Sequence, residues 1–213
     1  MSPSTKIPDA QTIRDGLFLA SSRSYGEQYI EPLIRAKYAL KESDSNDYDA
    51  RDAQGKRYEI KACKVLKATH NARKSKSLVD RILFEHTNLA THRLVPFAEC
   101  EQDDYLANVQ NVKRDHFDVL IYVLLFSDCV KVFFARKADI ATGQFQHWSD
   151  KHGRYDALGK SGQFGITKAN IHWHLEHYLK DTLTYQEVAD IYLALSESHA
   201  DQEHDHPESL QTT

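Results

Sequence analysis

Polar and apolar residues alternate in Tyr48–Arg51 and again in Arg57–Ala62 of YDARDAQGKRYEIKACK, with a polar break between, and this pattern predicts a β-hairpin. Asp52-Ala53-Gln54-Gly55 suits a type I turn closed by a glycine in the left-handed conformation. That turn pairs Asp52 with Lys56, which sets Asp49 across from Glu59 and Asp47 across from Lys61. Tyr48, Ala50, Tyr58, Ile60 and Ala62 then share one face, fit for a core. Asp47, Asp49, Glu59 and Lys61 share the other.

The remaining pattern predicts helices around one mixed sheet. Thr12–Leu19 reads as a short helix. Ser24 and Glu27 form a capping box ahead of an apolar stripe at Ile30, Leu33, Ile34 and Tyr38, with Pro32 marking a kink or a later helix start. Residues 77–95 read as mixed helix, and DDYLANVQNVKRDHFD as another helix or helical turn. DVLIYVLLF is a buried central strand, and VKVFFARK pairs back across Ser127-Asp128. A helical stripe runs through Ile171, Leu175, Tyr178 and Leu179, and Thr184 with Glu187 caps a last helix. The expected fold class is α/β, a mixed central sheet flanked by helices. Residues 1–196 are expected to form a single domain and 197–213 a polar, disordered tail.

At 213 residues the chain is long enough to bury a substantial core. No apolar run approaches the ~20 residues of a membrane span. Cys63, Cys100 and Cys129 sit singly, and the first residues lack a signal-peptide layout, which together point to the cytosol. The net charge of −4 conceals an asymmetry. Asp181–Thr213 holds eight acidic residues and no Lys or Arg, so residues 1–180 carry 27 basic against 23 acidic residues. Lys61–Ser77 alone holds six Lys or Arg and no acid, the makeup of a phosphate-backbone footprint.

An Asp facing a Glu across a hairpin is unfavourable unless something positive lies between them. A divalent cation does this, and Mg²⁺ takes one or two carboxylates together with phosphate oxygens. Lys61 stands on the same face, within reach of that phosphate or of an attacking water. Glu27 falls on the helical face of Ile34 and Tyr38, where an inward carboxylate requires a partner or a metal. It serves equally as a helix cap.

A helix with an inward Glu, a strand Asp, and then Glu-x-Lys on the next strand resembles the PD-(D/E)XK nuclease superfamily. DARDAQGKRYEIK looks like its core hairpin, and FDVLIYVLLF with VKVFFARK looks like the continuation in type II restriction endonucleases. The resemblance covers residues 20–140 or so and implies a restriction-endonuclease-like α/β/α core. The chain lacks the family's Pro before the Asp, and NDYD leaves both Asp47 and Asp49 as candidates. Cross-strand pairing favours Asp49, leaving Asp47 to hold Lys61 or make an outer contact. The resemblance implies Mg²⁺-dependent hydrolysis of double-stranded DNA to 5′-phosphate and 3′-hydroxyl ends. Asp49, Glu59 and the Ile60 carbonyl would hold the metal, Lys61 would orient or help deprotonate the water, and Glu27 would act at a second metal or through water.

For DNA contact the expected residues are Lys64, Lys67, Arg73, Lys74 and Lys76 along the backbone. Arg154, Lys160 and Gln163, within residues 141–180, are expected to read base edges. GKSGQFG lacks the Walker spacing, so no nucleotide cofactor is expected, and it reads as a DNA-contacting loop or an ordinary glycine-rich connection. His172, His174 and His177 do not converge as zinc ligands on a helix. Cutting both strands of a symmetric site implies a homodimer. The rival functions are a structure-specific or repair nuclease, such as a junction resolvase, and a non-cleaving DNA-binding protein.

Overall fold

The structure is a computed structural model that describes residues 9–20, 25–68, 77–87, 89–113, 115–149 and 161–204. The fold is α/β as expected. Its main sheet comprises β1 (Lys41–Glu42), β2 (Ala50–Arg51), β3 (Arg57–Lys64), β5 (Val119–Leu125), β6 (Val130–Arg136) and β8 (Leu179–Leu183), adjacent in that order. β3 and β5 run parallel and every other pair is antiparallel, so the sheet is mixed.

The hairpin forms in the expected register, with Ala50 opposite Tyr58 and Arg51 opposite Arg57. Gly55 takes φ +82°, and its N–H donates to the Asp52 carbonyl at 3.1 Å. The Asp52 side chain accepts the N–H groups of Gln54 and Lys56, which locks the turn.

Every residue of β5 is buried, as befits a strand covered on both faces. Val119, Ile121, Val123 and Leu125 pack beneath α1 (Ala10–Leu19), α2 (Glu31–Tyr38) and α6 (Tyr185–His204). Leu120, Tyr122 and Leu124 face the opposite way, into a second cluster. That side is covered by α5 (Ile171–Tyr178) and a two-stranded ribbon of β4 (Ala107–Lys113) and β7 (Ser161–Ile166). α3 spans Leu78–Thr87 and α4 Lys137–Ala141.

Four expectations need correction. DDYLANVQNVKRDHFD yields strand β4, not a helix. A bulge between Val109 and Val112, with Asn111 at φ 56°, spaces these buried valines three apart and imitates a helical period. The described part of GKSGQFG, from Ser161 on, belongs to strand β7 and is not a loop. Its Gly162 abuts the Trp148 ring so closely that a β-carbon has no room. Leu179 opens strand β8 instead of extending a helical stripe, and it is exposed. α6 continues past Ser196 to His204, because no Gly or Pro interrupts the chain between Thr184 and Pro207. The later helix start at Pro32 is found: α2 begins at Glu31 with Pro32 in its first turn, after a π-helical turn at Gly26–Ile30, where the Glu31 N–H reaches the Gly26 carbonyl. Proline has no N–H to continue the α-helical ladder, and the widened turn takes up the defect. Ser24 of the capping box lies outside the described residues.

Candidate active site

β2 ends at Arg51 in one direction and Ala50 in the other, so it pairs with only the first residues of β3. Beyond Tyr58 the outer edge of β3 has no strand beside it among the described residues. Asp49, at a bend just before β2, fills this gap with its side chain: Oδ2 accepts the Ile60 N–H at 2.7 Å. The sequence thus places a carboxylate where a strand carbonyl would otherwise sit.

Glu59 projects from the neighbouring position and is fully buried. Lys61, two residues on along the same face, folds back so that Nζ lies 2.6 Å from Glu59 Oε1 and 3.4 Å from Asp49 Oδ2. The same ammonium donates to the Ile60 carbonyl at 3.1 Å. Asp49, Glu59, Ile60 and Lys61 therefore form one cluster, as expected from the hairpin register.

Asp47 does not join them. Residues 43–47 turn through Ser43 and Ser45 hydrogen bonds, so strand alternation ends before Asp47. Its exposed carboxylate lies 3.8 Å from His116 Nδ1 and does not hold Lys61.

Two residues not foreseen complete the cluster. Lys113, the last residue of β4, brings Nζ to 3.6 Å from Asp49 Oδ1 and 3.8 Å from Glu59 Oε2, and donates to the Asn46 carbonyl at 2.7 Å. Reading β4 as a helix concealed it. The other is Glu31, at the start of α2. Glu27, expected to point inward, is exposed, because the π turn rotates it away from the face of Ile34 and Tyr38. Glu31 is instead the more enclosed helix carboxylate, and Arg35 lies 3.8 Å from it. Both glutamates line a polar cleft of about 320 Å³ with Asp49 and Lys113. The signal for Glu31 was its place one residue before Pro32, where the helix resumes its regular pitch.

Burial, then the neighbouring Asp49 charge, push the Glu31 carboxyl up to about 7. Burial raises Glu59 as well; Lys61 offsets part of this, and Asp49 adds to it. Burial works to lower the Lys61 ammonium, but the charges of Glu59 and Asp49 outweigh it and hold Lys61 protonated. The positive charge that the opposed carboxylates require is therefore supplied, in the protein alone, by two lysines.

Among the described residues no three His, Cys, Asp or Glu side chains converge as a ready metal site. The donor set nonetheless fits Mg²⁺: two carboxylates and a carbonyl on an open strand edge are hard oxygen ligands. Glu59 Oε2 is buried without a hydrogen-bond partner, an orphaned acceptor that a cation would satisfy. His172, His174 and His177 go to separate partners: Glu101, the Tyr122 hydroxyl and the Trp173 carbonyl.

The expected DNA-contacting residues divide. Lys64 directs its ammonium to the carbonyls of Phe18 and Ala20, at 2.9 and 2.6 Å, and over the Tyr25 ring. It holds the end of α1. Lys67 is half-exposed and pairs with Asp103 at 3.0 Å. Gln163 lies in β7, with its backbone paired to Ser149. Arg73, Lys74, Lys76, Arg154 and Lys160 lie outside the described residues.

No family model matches this chain, and no curated protein matches it in sequence. Among the described residues no helix is long and apolar enough to cross a membrane.

Proposed function

We propose that this chain is a Mg²⁺-dependent endonuclease acting on double-stranded DNA, of the restriction type. The observation that carries the reading is the Glu59 carboxylate: fully buried, with one oxygen lacking a hydrogen bond, beside Asp49 and Lys61 on an open strand edge. A buried acceptor left without a hydrogen bond is costly, and a metal ion at the edge would satisfy it. A protein that needed only a stable hairpin would gain from apolar residues in place of the whole ion cluster.

Asp49 and Glu59 would hold the metal with the Ile60 carbonyl, and Glu31 is better enclosed than Glu27 for a supporting role. When bound, Mg²⁺ supplies Lewis-acid polarisation of the phosphate and lowers the pKa of water. Lys61, kept as an ammonium by its two carboxylates, orients a water and stabilises charge that develops on the phosphate oxygens. Lys113 adds a second positive charge at the rim of the cleft, where a phosphate of the backbone approaches. The site is reached from the open edge of β3, and the basic stretch ending at Ser77 follows it in sequence.

The test is incubation with long duplex DNA and Mg²⁺, followed by mapping of the ends. Discrete bands bearing 5′-phosphate and 3′-hydroxyl ends are expected. Selective cutting of branched substrates would assign a structure-specific repair nuclease instead. Binding without metal-dependent turnover would overturn the enzymatic reading.

A further inference from the structure

Another cleft, of about 330 Å³, opens beside α4 and is lined by Arg136, Asp139, Gln144, Trp173, His177 and Tyr178. Three of these side chains are held from behind. Asp139 is buried, and its two carboxylate oxygens accept the Nε and Nη2 hydrogens of Arg136 at 3.3 and 2.8 Å. The His177 ring stacks on Trp173, with centroids 4.8 Å apart, and its Nδ1 donates to the Trp173 carbonyl at 2.8 Å. Tyr178 stacks on the buried Phe145 at 5.2 Å. Yet the Arg136 side chain is 74% exposed, and His177 and Gln144 are exposed as well, so the cleft lies outside the core. Fixing exposed side chains costs rotamer entropy, and a ligand that meets them already in place binds more tightly for it.

The bonds to Asp139 occupy the Nε–Nη2 side of the guanidinium and leave its Nη1–Nη2 edge as a second two-donor fork. A fork beside an aromatic ledge fits a guanine base, whose O6 and N7 accept an arginine bidentately while its ring stacks on an aromatic side chain. We propose that this cleft takes an unpaired guanine of a DNA strand, with its O6–N7 edge on Arg136 and its ring on the His177–Trp173 ledge. A guanine stacked inside a duplex offers no face to a side chain, so the base must lie in an unpaired or opened stretch. The sheet register sets where that stretch lies. Arg136 is opposite Val119, and Val119 is opposite Tyr58, the residue before Glu59. Two strand spacings of ~4.8 Å put roughly 10 Å of sheet between Arg136 and the strand that carries the active site. One DNA strand can reach both. The link to cleavage rests on the proposed function; recognition of the base does not.

Fluorescence anisotropy in Ca²⁺, with the full chain and hairpin duplexes that each carry one unpaired nucleotide, reads the cleft directly. An unpaired guanine should bind about tenfold more tightly than an unpaired thymine. Replacing it by 7-deazaguanine, which lacks the N7 acceptor, should remove most of this preference. Arg136→Lys keeps the charge but not the fork, so it should bind all the duplexes alike. His177→Ala should weaken binding of the guanine duplex about tenfold through lost stacking. Lys180→Ala, at an exposed lysine just beyond Tyr178, should keep the preference. Circular dichroism checks folding, and His177→Gln serves if His177→Ala misfolds. Equal affinity for the guanine and thymine duplexes, or a guanine preference that survives Arg136→Lys, overturns the proposal. Guanosine monophosphate should compete only far above the duplex concentration; competition at equal strength overturns the DNA strand as the source of the base. A guanine preference in a protein that cuts no DNA sustains the cleft and sinks the nuclease reading.

Discussion

Lys61 Nζ lies 2.6 Å from Glu59 Oε1, although the two side chains leave the same strand two residues apart. Side chains at that spacing stand side by side on one face, so a long lysine must bend back to make this contact. It does so because Glu59 is fully buried and has no water to turn to. The pair is local in sequence, whereas Asp49 joins it through the hairpin and Lys113 through the β4–β7 ribbon. Four charges from three segments thus depend on one another.

That dependence separates the roles of Glu59 in stability and in chemistry. Glu59→Ala leaves two ammonium groups facing one aspartate, so metal-free stability should fall by about 3 kcal/mol, the cost of breaking a buried pair. Thermal unfolding in EDTA measures this. Glu59→Gln keeps the shape and should fold better than Glu59→Ala, yet cut no DNA. Cleavage by Glu59→Gln at the unaltered rate would remove Glu59 from the proposed metal site.

Lys61 tests the chemical step. Lys61→Ala should slow cleavage by roughly 10²–10⁴-fold while DNA binding in Ca²⁺ persists, since its proposed role is in the transition state. A defect confined to binding would assign Lys61 to substrate affinity alone.

Much of this cluster was legible in the sequence, and the reason is range. The Asp52–Gly55 turn fixes the register of the hairpin, so Asp49, Glu59 and Lys61 follow from counting. Glu31 was marked only by its place before Pro32, because the π turn there shifts the face by an amount that regular helical spacing does not include. Lys113 was hidden twice. The bulge at Asn111 disguised its strand, and its approach to Glu59 spans 54 residues of chain. The α/β class was readable from the apolar run of β5, but β8 was not: LKDTL is mostly polar and pairs at an edge.

Glu31 gives the metal-free protein a pH dependence whose sign can be worked out. Its carboxyl is raised to about 7 by burial and by Asp49, against an ordinary value of 4.5. As pH rises between those values the unfolded chain releases this proton first, so the native state binds more protons and stability falls. Above about 7 the penalty is constant. Glu31→Gln should flatten this decline and raise the melting temperature at pH 8 by about 2–4 °C. Melting curves in EDTA across the window decide it. A variant with an unchanged pH profile would mean that burial and Asp49 do not raise the Glu31 carboxyl.

The two kinds of lysine in the basic stretch should part company under salt. Lys64 is bound to the Phe18 and Ala20 carbonyls at the end of α1, where a cation also meets the negative pole of the helix. Lys64→Ala should therefore lower stability by about 1–2 kcal/mol. It should leave the salt dependence of DNA binding as it was. Lys74 and Lys76 lie in the segment proposed to follow the phosphate backbone. Neutralising both should weaken binding to cognate and scrambled duplexes alike, and shallow the log K against log salt slope by about 0.9 per lost contact. Stability should hardly change. Binding titrations at several salt concentrations, paired with melting curves, measure both quantities on each variant. If Lys64→Ala shallows the slope while melting normally, its ammonium leaves α1 for the duplex, and the cationic track begins at β3 itself.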